Sequence, residues 1–139
     1  MRYFARFEPD EGGGWIVAFP DVPEAITGGR DDSEAMENAV DALEIVLLTY
    51  LQDRTPFPAA SAHDGRPVSI SAAVAVKIAL IEAFRKSGMT GVALAERLGK
   101  RDTEIRRMLD PFHNTKLGSM ETALQALGKE LVVSVRDAA

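Results

Sequence analysis

Residues 90–110, TGVALAERLGKRDTEIRRMLD, constrain this chain more than any other segment, because their spacing is that of a helix-turn-helix. Counting from Gly91, Ala95 falls where the first helix passes close to the second, and Gly99 falls where the turn needs a residue free to take positive φ. Leu94 and Leu98 form an apolar seam at i and i+4, and Ile105 and Met108 face back toward it. Arg106 and Arg107 are left on the outer side of the second helix, within reach of a phosphate or a guanine edge. The competing reading is an αα-hairpin with a solvated basic face. The coincidence of small, glycine and apolar positions favours the DNA-reading geometry.

A chain of 139 residues holds one average domain or two small ones, and the charge distribution favours two. Residues 1–66 carry 5 Lys and Arg against 13 Asp and Glu, whereas residues 67–139 carry 11 against 8. An acidic half suits a basic partner and a basic half suits nucleic acid, so the asymmetry favours a two-faced adaptor over a single-substrate enzyme. Cysteine is absent, which excludes disulfides, thiolate metal sites and cysteine nucleophiles. The N-terminus lacks the pattern of a signal peptide, and the longest apolar run, Ala72 to Leu80, is interrupted by Lys77 and too short to span a bilayer. The expectation is a soluble, cytoplasmic protein with no membrane partner.

Along the first half, RYFARFE (2–8) alternates Tyr3, Ala5 and Phe7 with Arg2, Arg6 and Glu8, Phe4 being the exception, and WIVAFP (15–20) places Trp15, Val17 and Phe19 on one side. DEGGG (10–14) supplies turn chemistry between them, so an antiparallel hairpin is expected. AITG (25–28) reads as a third strand. Asp31 or Asp32 is placed to cap a helix in which Met36, Ala39, Val40, Leu43, Val46, Leu47, Tyr50 and Leu51 recur at helical spacing and cover the sheet. Pro56 and Pro58 end that helix, residues 58–67 have linker composition, and Val68 and Ile70 fit a last strand.

The second half reads as four or five short helices: a support helix from Ala72 to Lys86, the helix-turn-helix, and a helix in SMETALQALGKEL capped by Ser119 and closed near Gly128. LVVSVR (131–136) then alternates Leu131, Val133 and Val135 with Val132, Ser134 and Arg136, although the helical half has no strand to pair with it. Two outcomes stand open. The segment pairs with its copy in a second chain, giving a homodimer or higher oligomer, or it docks on its own domain. A dimer would set two reading helices on one palindromic site.

With these residues in place, the chain resembles the HicB-type antitoxins of bacterial type II toxin-antitoxin modules, in their helix-turn-helix version. The resemblance rests on the segment from Gly14 to Leu43 with its PDVP, TGG and EAMENA pieces, on PFPAAS (56–61), and on LAERLGKRDTEIRRMLDPFHNTKL followed by ETALQALGKEL. Many relatives carry cysteine where Ala25 stands, and the position after the turn glycine, commonly apolar, is Lys100 here. The implied fold class is α+β: an N-terminal antiparallel-sheet domain with one covering helix, HicB-like and partially ribonuclease H-like, and a C-terminal all-α helix-turn-helix domain ending in a short strand. The implied domains are residues 1–66, binding the toxin, and residues 67–139, binding DNA and dimerising.

The resemblance further implies an antitoxin that neutralises a HicA-type mRNA-cleaving toxin by direct binding and represses its own operon at operator DNA. The alternative is a free-standing helix-turn-helix regulator whose N-terminal domain senses a ligand or dimerises. Candidate base and phosphate readers are Arg101, Thr103, Arg106 and Arg107, with Asp102 or Thr103 capping the helix and Glu104 facing solvent or pairing with a neighbouring arginine. Thr90, Asn114, Thr115 and Lys116 are candidate phosphate contacts on the flanks. Candidate toxin contacts are the acids outside the helix core face, Glu34, Glu37, Asp41 and Glu44, and those of the loops, Asp21, Glu24, Asp31 and Asp32. Such acids often do no more than solubilise a helix.

No catalytic residue, metal site or cofactor is expected. His63 and His113 stand 50 positions apart without a cysteine, which fits neither a metal cluster nor a cysteine nucleophile site. Metal-dependent ribonuclease H-like chemistry would need convergent carboxylates, and the available Glu8, Asp10, Glu11 and Asp21 include two in a glycine-rich turn where acids are solvated.

Overall fold

The computed structural model describes residues 1–138, which form two compact units, one from Met1 to Ala75 and the other from Val76 onward. In the first unit, β1 (Arg2–Pro9), β2 (Trp15–Ala18), β3 (Ile26–Gly29) and β4 (Arg66–Ser69) make an antiparallel sheet in the order β3-β2-β1-β4. The hairpin expected from DEGGG is present: Asp10 and Gly14 close the turn, and Phe7 stands opposite Val17. Period-2 alternation sends Tyr3, Ala5, Val17 and Val68 to one buried face. The same register turns Arg6, Glu8 and Ile16 outward.

The long helix of this unit, α1 (Asp32–Asp53), lies against β2, β3 and β4. Of the two aspartates proposed to cap it, Asp31 does so, its carboxylate accepting from the Glu34 N–H at 2.8 Å. Ala35, Ala39, Leu43, Leu47 and Leu51 fall on one stripe and are buried against the sheet. The helix approaches β3 so closely that a Cβ at Gly29 would lie 2.4 Å from the Ala35 nitrogen, which explains a glycine there. Asn38 Nδ2 donates to the Gly28 carbonyl at 2.7 Å and ties the two elements together. The helix stops at Arg54, in the left-handed region at φ 59°, whose N–H returns to the last-turn carbonyls; the prolines lie beyond this stop.

The segment after α1 corrects the linker reading and the boundary after residue 66. Tyr3 donates its hydroxyl to the Pro58 carbonyl at 2.7 Å, and Asp21 accepts from Ser61 Oγ and the Ala62 N–H at 2.9 and 2.7 Å. His63 meets the Phe4 ring edge to face, and the Arg66 guanidinium lies 4.4 Å from the centre of the Phe7 ring. Residues 58–66 are therefore strapped to the first unit, and β4 pairs with β1, so the boundary falls between Ala75 and Val76.

The second unit is helical. It takes most of α2 (Ala72–Ser87), then α3 (Gly91–Leu98), α4 (Asp102–Met108) and α5 (Leu117–Ala126). Val76, Leu80, Ala83, Met108, Met120, Ala123 and Leu124 form one small core. Leu94, Ala95 and Ile105 form a second, and Leu98 and Leu127 pack against both. Two starts differ from expectation. Neither Asp102 nor Thr103 caps α4, because the chain leaves the Gly99 turn one residue sooner and Arg101 holds the cap position without a side-chain bond. Similarly, Lys116 precedes α5 and Ser119 lies inside it. Residues 129–138 form neither helix nor strand in the single chain; Leu131 rests on the first core, while Val132, Val133 and Val135 are exposed. No helix among the described residues is long and apolar enough to cross a membrane.

Candidate functional site

The pair α3 and α4 owes its geometry to Gly99. With φ at 64°, this residue lets the Lys100 N–H reach the Ala95 carbonyl at 2.9 Å, and the chain reverses without strain. At the other end of α3, Thr90 Oγ1 accepts from the Ala93 N–H at 3.1 Å. Ile105 and Met108 point into the cores, which leaves Arg101, Thr103, Arg106 and Arg107 exposed on the opposite side of α4. Among the described residues none of these three arginines enters an ion pair. Glu104 pairs with Lys100 at 3.7 Å, so it leaves the arginines free. Arg106 also borders a depression of about 200 Å³ with Thr90, Gly91, Val92, Asp102, Ile105 and Leu109, so the start of α3 and one flank of α4 share its lining.

Of the flanking candidates, Asn114 and Lys116 are exposed, whereas the half-buried Thr115 accepts a hydrogen bond from Lys77 Nζ at 2.7 Å. Lys77 was visible in the sequence only as an interruption of an apolar run. The structure buries it, with a second bond to the Met108 carbonyl at 2.8 Å. The telling signal was a lone charge at a core position of an otherwise apolar helix.

The eight acids proposed for the first unit separate by what they already hold. Asp21 grips the 61–62 strap, and the Ala62 N–H above all keeps its carboxyl below the ordinary value of 3.8. Glu24 accepts from the Tyr50 hydroxyl, whose pKa is pushed up to about 12, first by desolvation and then by that carboxylate. Asp31 caps α1, Asp32 pairs with Arg66 at 2.5 Å, and Glu44 accepts from the Ser71 N–H at 2.7 Å. Glu34 pairs with Arg30 at 2.8 Å, and that hydrogen bond lowers its pKa. Glu37 and Asp41 alone of the eight are exposed without a partner among the described residues. One turn beyond them Ile45 is 58% exposed, so the three make a stripe at i, i+4 and i+8 on the solvent side of α1.

Sequence reasoning did not single out the outer face of the sheet. Ile16 and Ile26 are 43% and 66% exposed there, around a depression of about 320 Å³ bordered also by Arg6, Ala18, Pro20 and Pro23. The signal was the opposite phase to Val17, since residues one apart on a strand face opposite ways. Among the described residues, no group of three His, Cys, Asp or Glu side chains is placed to hold a metal ion.

A four-stranded antiparallel sheet covered by one helix, followed by a small helical unit with outward arginines, defines an α+β protein in two parts. Residues 2–79 match a family described as HicB_like antitoxin of bacterial toxin-antitoxin system. Similarity extends over nearly the whole chain to curated relatives. "Antitoxin HicB 2" of Photorhabdus laumondii is 40% identical over 131 residues, which cover 94% of each protein. "Antitoxin HicB" of Escherichia coli K12 is 40% identical over 134 residues, covering 94% of this chain and 96% of the relative. "Antitoxin HicB" of Pseudomonas fluorescens is 30% identical over 141 residues, with 99% and 96% covered. The chain belongs to the HicB-like antitoxin family of bacterial toxin-antitoxin systems. Membership in an antitoxin family favours a regulatory role over a catalytic one.

Proposed function

We propose that this protein is a cytoplasmic antitoxin that binds and neutralises a HicA-type mRNA-cleaving toxin and represses its own operon at operator DNA. The observation that carries the DNA half is the outward set of Arg101, at the cap, and Arg106 and Arg107, on the helix that the Gly99 turn fixes, none of them in an ion pair among the described residues. On this reading α3 and α4 are a helix-turn-helix with α4 in the major groove. Arg101, Thr103, Arg106 and Arg107 read bases or phosphates, while Thr90, Asn114, Thr115 and Lys116 meet the flanking backbone. The toxin half is supported by family membership and by the acidic first unit, where Glu37 and Asp41 are the acids left free to meet a cationic partner. The exposed Val133 and Val135 support pairing of residues 131–136 with a second copy, so that two reading helices act on one operator.

A salt series of binding to the DNA upstream of the gene, with Arg106→Ala and Arg107→Ala alongside, tests the reading. The expected result is specific binding that falls steeply with salt and weakens by about 1–3 kcal/mol in an arginine variant. Binding with no preference over random DNA overturns the repressor half. Co-purification with a small basic protein encoded next to this gene, and its absence, decide the toxin half in the same way.

A further inference from the structure

Lys77 sits in the middle of α2, 4% exposed, in a position where an apolar side chain would fill the space with no charge to desolvate. Its ammonium is accounted for by what it bonds. Nζ donates to the carbonyl of Met108, the last residue of α4, at 2.8 Å and to Thr115 Oγ1, in the loop before α5, at 2.7 Å. Burial pulls its pKa down to about 8, with the Asp110 charge opposing the shift.

The need for such an anchor follows from the helix it holds. Seven residues are too few for a helix to persist by itself, and α4 begins without a side-chain cap. Its orientation depends on the inward Ile105 and Met108 and on whatever secures its carbonyl end, where a cation is also favoured by the helix dipole. Thr115 lies between Asn114 and Lys116, so the same nitrogen touches both the helix with the arginines and the loop with the proposed phosphate contacts. The Thr115 hydroxyl accepts from Lys77 and keeps its own proton to donate outward.

We propose that Lys77 is a positioning residue for operator recognition, locking the end of α4 to the 114–116 loop so that both meet DNA as one surface. The proposal rests on the DNA-binding reading above. Its test compares the full-length protein with Lys77→Met, Thr115→Val and the double variant. Operator binding and binding to random DNA of equal length are measured beside amide hydrogen exchange.

Lys77→Met is expected to bind the operator about tenfold more weakly and to lose part of its preference over random DNA. Thr115→Val, which gives up its proposed phosphate contact as well as this bond, should also bind more weakly, and the double variant should lose less than the sum of the two single losses, because the bond between the two side chains is counted in both. Exchange at Leu109, Asp110 and His113, whose N–H groups close the end of α4 and the following turn, should accelerate, while Leu94 in α3 keeps its protection. Unchanged operator preference in Lys77→Met overturns the proposal. If that variant fails to fold, unchanged binding and exchange in Thr115→Val overturn it instead. A wild-type protein indifferent to operator DNA removes the repressor reading and the recognition role together, and the exchange rates then still decide whether Lys77 holds the end of α4.

Discussion

The two units carry opposite charge and use it differently. In the first, six of the eight acids proposed as partner contacts are engaged by the fold itself, in a cap, in ion pairs with Arg30 and Arg66, and in bonds to Ser61, Ala62, Tyr50 and Ser71. In the second, Arg101, Arg106 and Arg107 stand on a helix whose apolar side alone serves the cores. Net charge therefore overstates what the first unit offers a partner and understates what the second does. A charge already held in a bond must be pulled from it before it can bind elsewhere, whereas a solvated arginine gives up only water.

The largest expected effect breaks the first unit. Leu43 is fully buried where α1 meets the sheet, and Leu43→Ala should lower stability by about 2–5 kcal/mol in urea unfolding. A loss below about 1 kcal/mol would mean that the α1 stripe is not the core. Next, Arg106→Ala and Arg107→Ala should each weaken operator binding by about 1–3 kcal/mol while moving stability by less than about 0.5 kcal/mol. A comparable loss of stability would show these arginines to be engaged in the fold, like the acids, and would erase the contrast.

The contrast sharpens at Glu37 and Asp41. Reversing both to lysine should slow association with a basic toxin several-fold and flatten its dependence on salt, with little change in stability. Asp21→Asn, by comparison, should loosen the 58–62 strap, detectable as faster exchange at the Ala62 amide. An unchanged association rate in the double reversal, with a slower one in a folded Glu34→Gln variant, would move the toxin surface to the start of α1.

What could be read from the sequence was what is local and periodic. The α1 stripe, an aspartate cap at residue 31 or 32, the hairpin and the Gly99 turn each follow from a few neighbouring residues. What could not be read depends on segments distant in sequence. Residues 58–66 look like a linker until Tyr3, Phe4, Phe7 and Asp21 are brought beside them, and Asp21 then proves to be a structural acid. The tail is a different case: LVVSVR has strand alternation, but a strand needs a neighbour, and among the described residues of the single chain none pairs with it. In the site, the outward arginines were legible from the positions of Ile105 and Met108, three residues apart on the opposite side of the helix. Lys77 was not, because its partners, Met108 and Thr115, lie 31 and 38 residues away.

The smallest effect is a pH dependence in which the two units again oppose one another. The folded pKa of Lys77 is lowered from 10.5 to about 8, so between these values the unfolded chain binds a proton that the native protein has released. Stability from this group must therefore rise as pH rises through that window, the reverse of a lysine that gains a carboxylate partner. Tyr50 acts with the other sign. Its folded pKa is raised from 10.0 to about 12, so the native state keeps a proton that the unfolded chain loses, and stability falls as pH rises above 10. Urea unfolding should thus show a gain from pH 8 to 10 that levels off or reverses beyond it. Lys77→Met should abolish the gain and leave the decline, while Tyr50→Phe should remove the Tyr50 part of the decline and leave the gain. A gain that survives Lys77→Met would mean that the charge is not buried in solution, and the anchor at the end of α4 would be lost with it.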